Sequence, residues 1–429
     1  MTRRFSRSCT ILFLAALAAL GQSAVSINDR YQTVQSGRMT ADERIALYEK
    51  QLKNEPGNSA TQAALASAFI QKLRETANFL YLDRAAAVVD RLLTTDPKSY
   101  EAIRLSAEIA THRHNFPLAV QYATELTERN PSDAGAFGML GDCLMELGRY
   151  DAAGNAYSRM LMLSPNLASY NRIAYHGFVT GREPEALAWM SMAVEAGSAT
   201  PENLAWCLVE LGDLLIKAGK TEQAVESYRR ALQNLPNYHR AHAALGRALA
   251  AAGEYQKAVD HFRLAQAVIP LPEYAASLER LYDRLGENSK AQKQRELLDV
   301  IDKLGHVNGE KGNRALALAY ADENRNLNRA LELARGELNV REDVYTYDAL
   351  SWVLYRSGKQ AEAEEASERA LKLDTPEPMF LYHAGVIAIS GKREEEGRKL
   401  LQRALALNAN FAFPQADDAR RLLEKPSRH

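Results

Sequence analysis

Three cysteines in 429 residues are too few to staple a fold of this size. Cys9 falls in the N-terminal stretch, so only Cys143 and Cys207 could pair, and both are expected as free, buried thiols. There is no C-x-x-C, no H-E-x-x-H and no G-x-S-x-G, so no zinc-ligand set and no nucleophile elbow can be placed. His112 and His114 are the most closely spaced histidine pair, and two imidazoles without a third ligand make a poor zinc site. Neither sign of charge dominates: 53 basic residues stand against 54 acidic ones, which argues against a general nucleic-acid binder. Long apolar runs are missing too. The run Ile11 to Leu20 falls short of the roughly 20 residues a bilayer-spanning helix needs.

That short run has another reading. Arg3, Arg4 and Arg7 precede it, and small residues follow to Ala24-Val25-Ser26. A positive start, an apolar middle and a small-residue end make residues 1–26 an export signal. Its removal leaves 50 basic against 54 acidic residues, a mild net charge of −4. The chain is expected outside the cytoplasm, in the periplasm or secreted, meeting a membrane only by association or through an uncleaved signal.

The remainder is organised around 205–270. Laid over itself at a shift of 34 residues, this stretch repeats: Leu211-Gly212 falls on Leu245-Gly246, Gly219 on Gly253, Ala224 on Ala258, Tyr228 on Phe262, Ala231 on Ala265 and Pro236 on Pro270. A fixed period in this range means a solenoid. Each unit reads as two antiparallel helices. Gly212 and Gly246 sit mid-helix, where Gly costs about 1 kcal/mol against Ala, so a close helix approach must require them. Gly219 and Gly253 end the first helix in the left-handed conformation that favours Gly. Pro236 and Pro270 stop the second, because Pro lacks the N–H and clashes one turn back. Generic amphipathic helices would not carry these marks in one fixed order. The triplet Gly219-Lys220-Thr221 could pass for the tail of a phosphate-binding loop, but that motif needs Gly where Leu214 stands, and the repeat turn accounts for it.

This order of marks resembles the tetratricopeptide repeat. The resemblance implies an all-α, right-handed superhelical solenoid of antiparallel helix pairs. The organisation reads as a signal (1–26), a capping helix or partial repeat (27–57), a repeat array (58–303), a Gly-rich break (304–313), further repeats (314–410) and a capping helix and tail (411–429). In the unit 58–97 about seven extra residues precede the second-helix marks Ala85 and Pro97, from an elongated first helix or a lengthened turn. The break is either a hinge or a longer loop. In such an array each repeat is expected to touch only its neighbours, so that damage stays local.

The resemblance further implies a concave groove lined by the first helices, taking a segment of a protein partner. At the inward positions, Asp142, Glu146, Glu210 and Asp213 form an acidic region. Arg240, Arg247, Arg280 and Arg284 form a basic patch, and Tyr345, Trp352, Tyr355 and Tyr382 an aromatic lining. Arginine suits carboxylate pairing, and Trp and Tyr are common interface anchors. One subclass of the family grips a C-terminal carboxylate with a Lys/Asn/Lys/Arg set. Asn171 suits that set, but its Lys partners are absent, so recognition of that kind is not expected. The function expected is a non-catalytic scaffold with no cofactor, metal or nucleic acid. The alternative is a carrier for an apolar or glycan ligand in the cell envelope.

Overall fold

The computed structural model describes residues 39–76, 78–198, 201–307 and 312–425. Residues 1–26, expected to be an export signal, and the centre of the Gly-rich break lie outside them. Among the described residues there are 22 helices and no strand. A single helix, α1 (Ala41–Asn54), comes first. Ten antiparallel pairs follow: α2 (Ser59–Thr76) with α3 (Leu80–Thr95), α4 (Tyr100–His112) with α5 (Phe116–Arg129), α6 (Ala134–Glu146) with α7 (Tyr150–Leu163), α8 (Leu167–Val179) with α9 (Glu183–Ala196), and α10 (Pro201–Lys217) with α11 (Thr221–Asn234). Then come α12 (His239–Ala251) with α13 (Tyr255–Val268), α14 (Pro272–Arg284) with α15 (Asn288–Val307), α16 (Arg314–Asp322) with α17 (Leu327–Leu338), α18 (Val344–Arg356) with α19 (Gln360–Leu371), and α20 (Pro378–Ser390) with α21 (Glu394–Leu407). The last helix is α22 (Gln415–Glu424). The pairs stack as a right-handed superhelical solenoid.

The repeat marks do the work their chemistry suggests. A Cβ on Gly246 would sit 2.7 Å from the ring of Phe262, and one on Gly212 would strike the ring of Tyr228. The glycine therefore makes room for the aromatic ring of its own pair's second helix, rather than for the alanine that shares the crossing. That ring is fully buried at Tyr228 and nearly so at Phe262. Gly219 ends α10 at φ +73°, where a side chain is strained. Where no Gly stands at this turn, His114, Asn324 and Lys392 adopt positive φ themselves. Both Cys143 and Cys207 are free and buried.

At the ends of the array, Thr40 caps α1 in a box with Glu43, each side chain reaching the other's backbone N–H. The extra residues of the first full pair lengthen its first helix, since α2 runs 18 residues against 13 in α4. Residues 304–307, read as the start of the break, belong to α15, which reaches 20 residues.

One expectation is overturned. The repeats do not touch only their neighbours, because the solenoid winds round far enough for its second turn to rest on its first. Glu342 N–H donates to the Glu146 carbonyl at 2.9 Å. The Thr375 hydroxyl donates to the Val179 carbonyl at 2.6 Å, across 196 residues. Asn408 Nδ2 donates to the Ile216 carbonyl at 2.6 Å, across 192 residues. In each case a loop entering a first helix of the second turn, or the last helix α22, meets the far end of a first helix of the first turn. Lys217 and Glu377 add an ion pair at 2.9 Å. Val344 and Phe380 join the buried cluster built mainly from α6–α12.

Candidate partner groove

The first helices of the pairs carry the charged residues singled out above, and their acids and bases neutralise one another between repeats. Arg172 grips Asp142 with two bonds of 2.8 and 2.7 Å. Arg240 pairs with Glu210 at 2.6 Å and Arg247 with Asp213 at 3.0 Å. Arg280 lies 3.5 Å from Asp322, and Glu146 is held by Arg341 of the second turn at 3.0 Å. The separate acidic region and basic patch are therefore a ladder of ion pairs. Each rung ties one repeat to another and leaves little unbalanced charge. Burial works to raise the Asp213 carboxyl, but Arg247 and Lys217 outweigh it and hold it below the usual range. At Glu210 burial wins over Arg240, and its carboxyl is raised. Arg284 is exposed, 5.4 Å from the ring of Tyr255.

The aromatic lining is corrected more strongly. Trp352 is only 5% exposed; it stacks on His383 at 4.4 Å and donates Nε1–H to Asp322 at 2.9 Å. Tyr382 is buried, and its hydroxyl donates to Asp418 of α22 at 2.8 Å. Tyr355 is half-buried beside Trp352, and Tyr345 packs edge-on against Phe380 at 5.0 Å. These rings join repeats 8, 9 and 10 and the cap to one another. The signal misread as a binding surface was a set of packing residues. Asn171 is also buried, with Nδ2 3.7 Å from Cys207 Sγ.

What does open onto the groove is a cavity of about 300 Å³. Asp213 and Ile216 of α10, Ala244, Arg247 and Ala248 of α12, Arg280 and Leu281 of α14, and Asp322 of α16 form one wall. Met379, Phe411 and Phe413 of the second turn form the other. Phe413 is fixed against Tyr255 with ring centroids 4.9 Å apart. The sequence assigns 411–429 to a capping helix and tail, but residues 410–413 also line this cavity. Two phenylalanines flanking Ala412, outside any helical period, are the signal that could have marked them. Arg247, 53% exposed, is the most accessible cation of the ladder rungs here.

A stack of two-helix repeats with a charged concave face and a polar-rimmed apolar cavity defines a repeat scaffold. The tetratricopeptide-repeat family model matches residues 113–168, 209–276 and 349–423. The chain belongs to the tetratricopeptide-repeat family. No curated protein matches its sequence. Among solved structures, it is similar to PilW, described as a widely conserved type IV pilus biogenesis factor, at 17% identity and a TM-score of 0.41, covering 47% of this chain and 93% of that one. It is similar to PilF of Pseudomonas aeruginosa at 19% identity and a TM-score of 0.41, covering 48% and 92%. It is also similar to TTC0263, a thermophilic repeat protein of Thermus thermophilus, at 18% identity and a TM-score of 0.37, covering 42% and 98%. As a family such repeats act as protein–protein interaction scaffolds. No helix among the described residues is long and apolar enough to cross a membrane.

Proposed function

We propose that this chain is an exported, non-catalytic scaffold of the cell envelope, holding an extended segment of a protein partner against the concave face of α10–α14. The cavity between Arg247, Arg280 and the Phe411–Phe413 wall carries this reading. Its apolar lining of Ala244, Ala248, Met379, Phe411 and Phe413 lies beside the polar Arg247, Arg280 and Asp322. It suits one or two apolar side chains of an extended strand. Arg247 keeps Nε and Nη1 free of Asp213, leaving donors for the strand's carbonyls or an acidic side chain. Export rests on Arg3, Arg4, Arg7 and the apolar run that follows them.

The test uses two baits in a crosslinking pull-down from envelope extract: the chain from residue 27 onward, and its Arg247→Glu/Arg280→Glu variant. A protein recovered by the first and lost by the second, with both baits equally helical, supports the groove. Equal recovery sinks it. The apolar wall of Phe411, Phe413 and Met379 also favours a second reading, a carrier for a small apolar ligand. Recovery of no protein by either bait moves that reading ahead.

A further inference from the structure

The least satisfied charge among the described residues lies away from the groove, where α14 meets the turn between α16 and α17. Glu279 of α14 is completely buried. Its Oε1 faces Arg295 Nε at 2.6 Å, but Oε2 has no hydrogen-bond partner. A buried carboxylate oxygen left in this way costs roughly 1–3 kcal/mol or more. Asp283, one helical turn further on, and Glu323 join it, and the three carboxylates offer oxygens all within 4.8 Å of one another.

The cations at hand do not balance this group. Arg295 contacts both Glu279 and Asp283, which leaves three carboxylates and one guanidinium, a formal charge of −2. Arg280, beside Asp322, and Arg325, paired with Asp299 at 2.6 Å, act on the group only from a distance and form no ion pair with it.

We propose that Glu279, Asp283 and Glu323 bind a hard divalent cation of the calcium or magnesium kind. Such ions take oxygen ligands at about 2.0–2.6 Å, so oxygens on opposite sides of one ion stand about 4–5 Å apart. Three oxygens all within 4.8 Å of one another can therefore sit on a single ion. Asp283 is exposed and gives the ion an entry and room for the waters that complete its shell. Arg295 occupies one oxygen each of Glu279 and Asp283, and the ion takes the others. Bound there, the cation links α14 to the α16–α17 turn. It thereby bridges the Gly-rich stretch between the two blocks of repeats.

The experiment is calorimetric titration of the chelator-treated chain (27 onward) with calcium chloride and, separately, magnesium chloride, with thermal melts alongside. One saturable equivalent is expected for at least one of the two ions, with a rise in melting temperature. Glu279→Gln should weaken it at least tenfold. Asp283→Asn/Glu323→Gln, at the more accessible rim, should do the same and covers the case in which Glu279→Gln fails to fold. Unchanged affinity in a folded variant overturns the site. So does a wild-type chain that responds to neither ion while Glu279→Gln raises its melting temperature, because the buried carboxyl then holds only a proton.

Discussion

Val344 donates its backbone N–H to the hydroxyl of Tyr150 at 2.9 Å, across 194 residues of chain. Tyr150 opens the second helix of the third pair, and Val344 opens the first helix of the ninth. The bond is buried and belongs to the seam between the two superhelical turns. Tyr150→Phe leaves that N–H without its acceptor. A loss of about 1–3 kcal/mol in urea unfolding is expected, with little change in helix content. A stability equal to wild type would show that the seam does not hold in solution.

The seam also separates glycines that look alike in sequence. Gly219 and Gly253 end first helices at φ +73° and +79°, so Ala strains both backbones about equally. A Cβ on Gly253 meets nothing within 4 Å, whereas on Gly219 it meets the Leu407 carbonyl at 3.0 Å. Gly253→Ala should cost about 1 kcal/mol. Gly219→Ala should cost more and should also increase the radius of gyration in small-angle scattering. Identical behaviour of the two variants would count against the seam.

Gly246→Leu drives a large side chain into the ring of Phe262. The expected cost is on the order of 1–3 kcal/mol, read from the melting midpoint. A second change, Phe262→Ala, should recover part of it by making room, and a double-mutant cycle measures the coupling.

Trp352→Ala distinguishes packing from binding. As a core residue bonded to Asp322, its loss should destabilise the fold by roughly 3–5 kcal/mol. Partner recovery well below the melting temperature should be unchanged. Loss of recovery in a variant of wild-type stability would return Trp352 to the groove.

Acid should weaken the array through His239. Burial first, and Arg240 second, lower its imidazole to about 4, against about 6.5 in an unfolded chain. The folded state thus binds fewer protons between these values. Its contribution is complete above pH 6.5 and is lost as pH falls toward 4. Since the ring is partly exposed, roughly 2 kcal/mol is the scale. His239→Gln should flatten that part of the stability–pH curve, which denaturant titrations at stepped pH would reveal.

The helix pairs were legible because their marks are local. Gly253 and Pro270 each act within one turn of chain, Gly246 reaches no further than Phe262 of its own pair, and a shift of 34 residues exposes all three. The ion-pair ladder was half legible. Asp213 and Arg247 stand one repeat apart, so aligning the acidic and basic positions at that period would have joined them. The seam was not legible. Its spacing of 192–196 residues depends on how far each pair rotates against the next, a sum of many small packing angles that no single residue encodes. The aromatic reading failed for a related reason. Trp352 and Tyr382 carry the signature of an interface, and they do serve one, but it lies between repeats of the same chain.

A stack whose units met only in sequence order would stretch under load like an open coil, yielding a little at each joint. With its second turn latched onto its first, this molecule is a closed spring. Pulled from its ends, it will stay stiff until the bonds at Tyr150, Thr375 and Asn408 give way. It will then lengthen in one abrupt step, and the groove wall formed by Phe411 and Phe413 will leave with the departing turn.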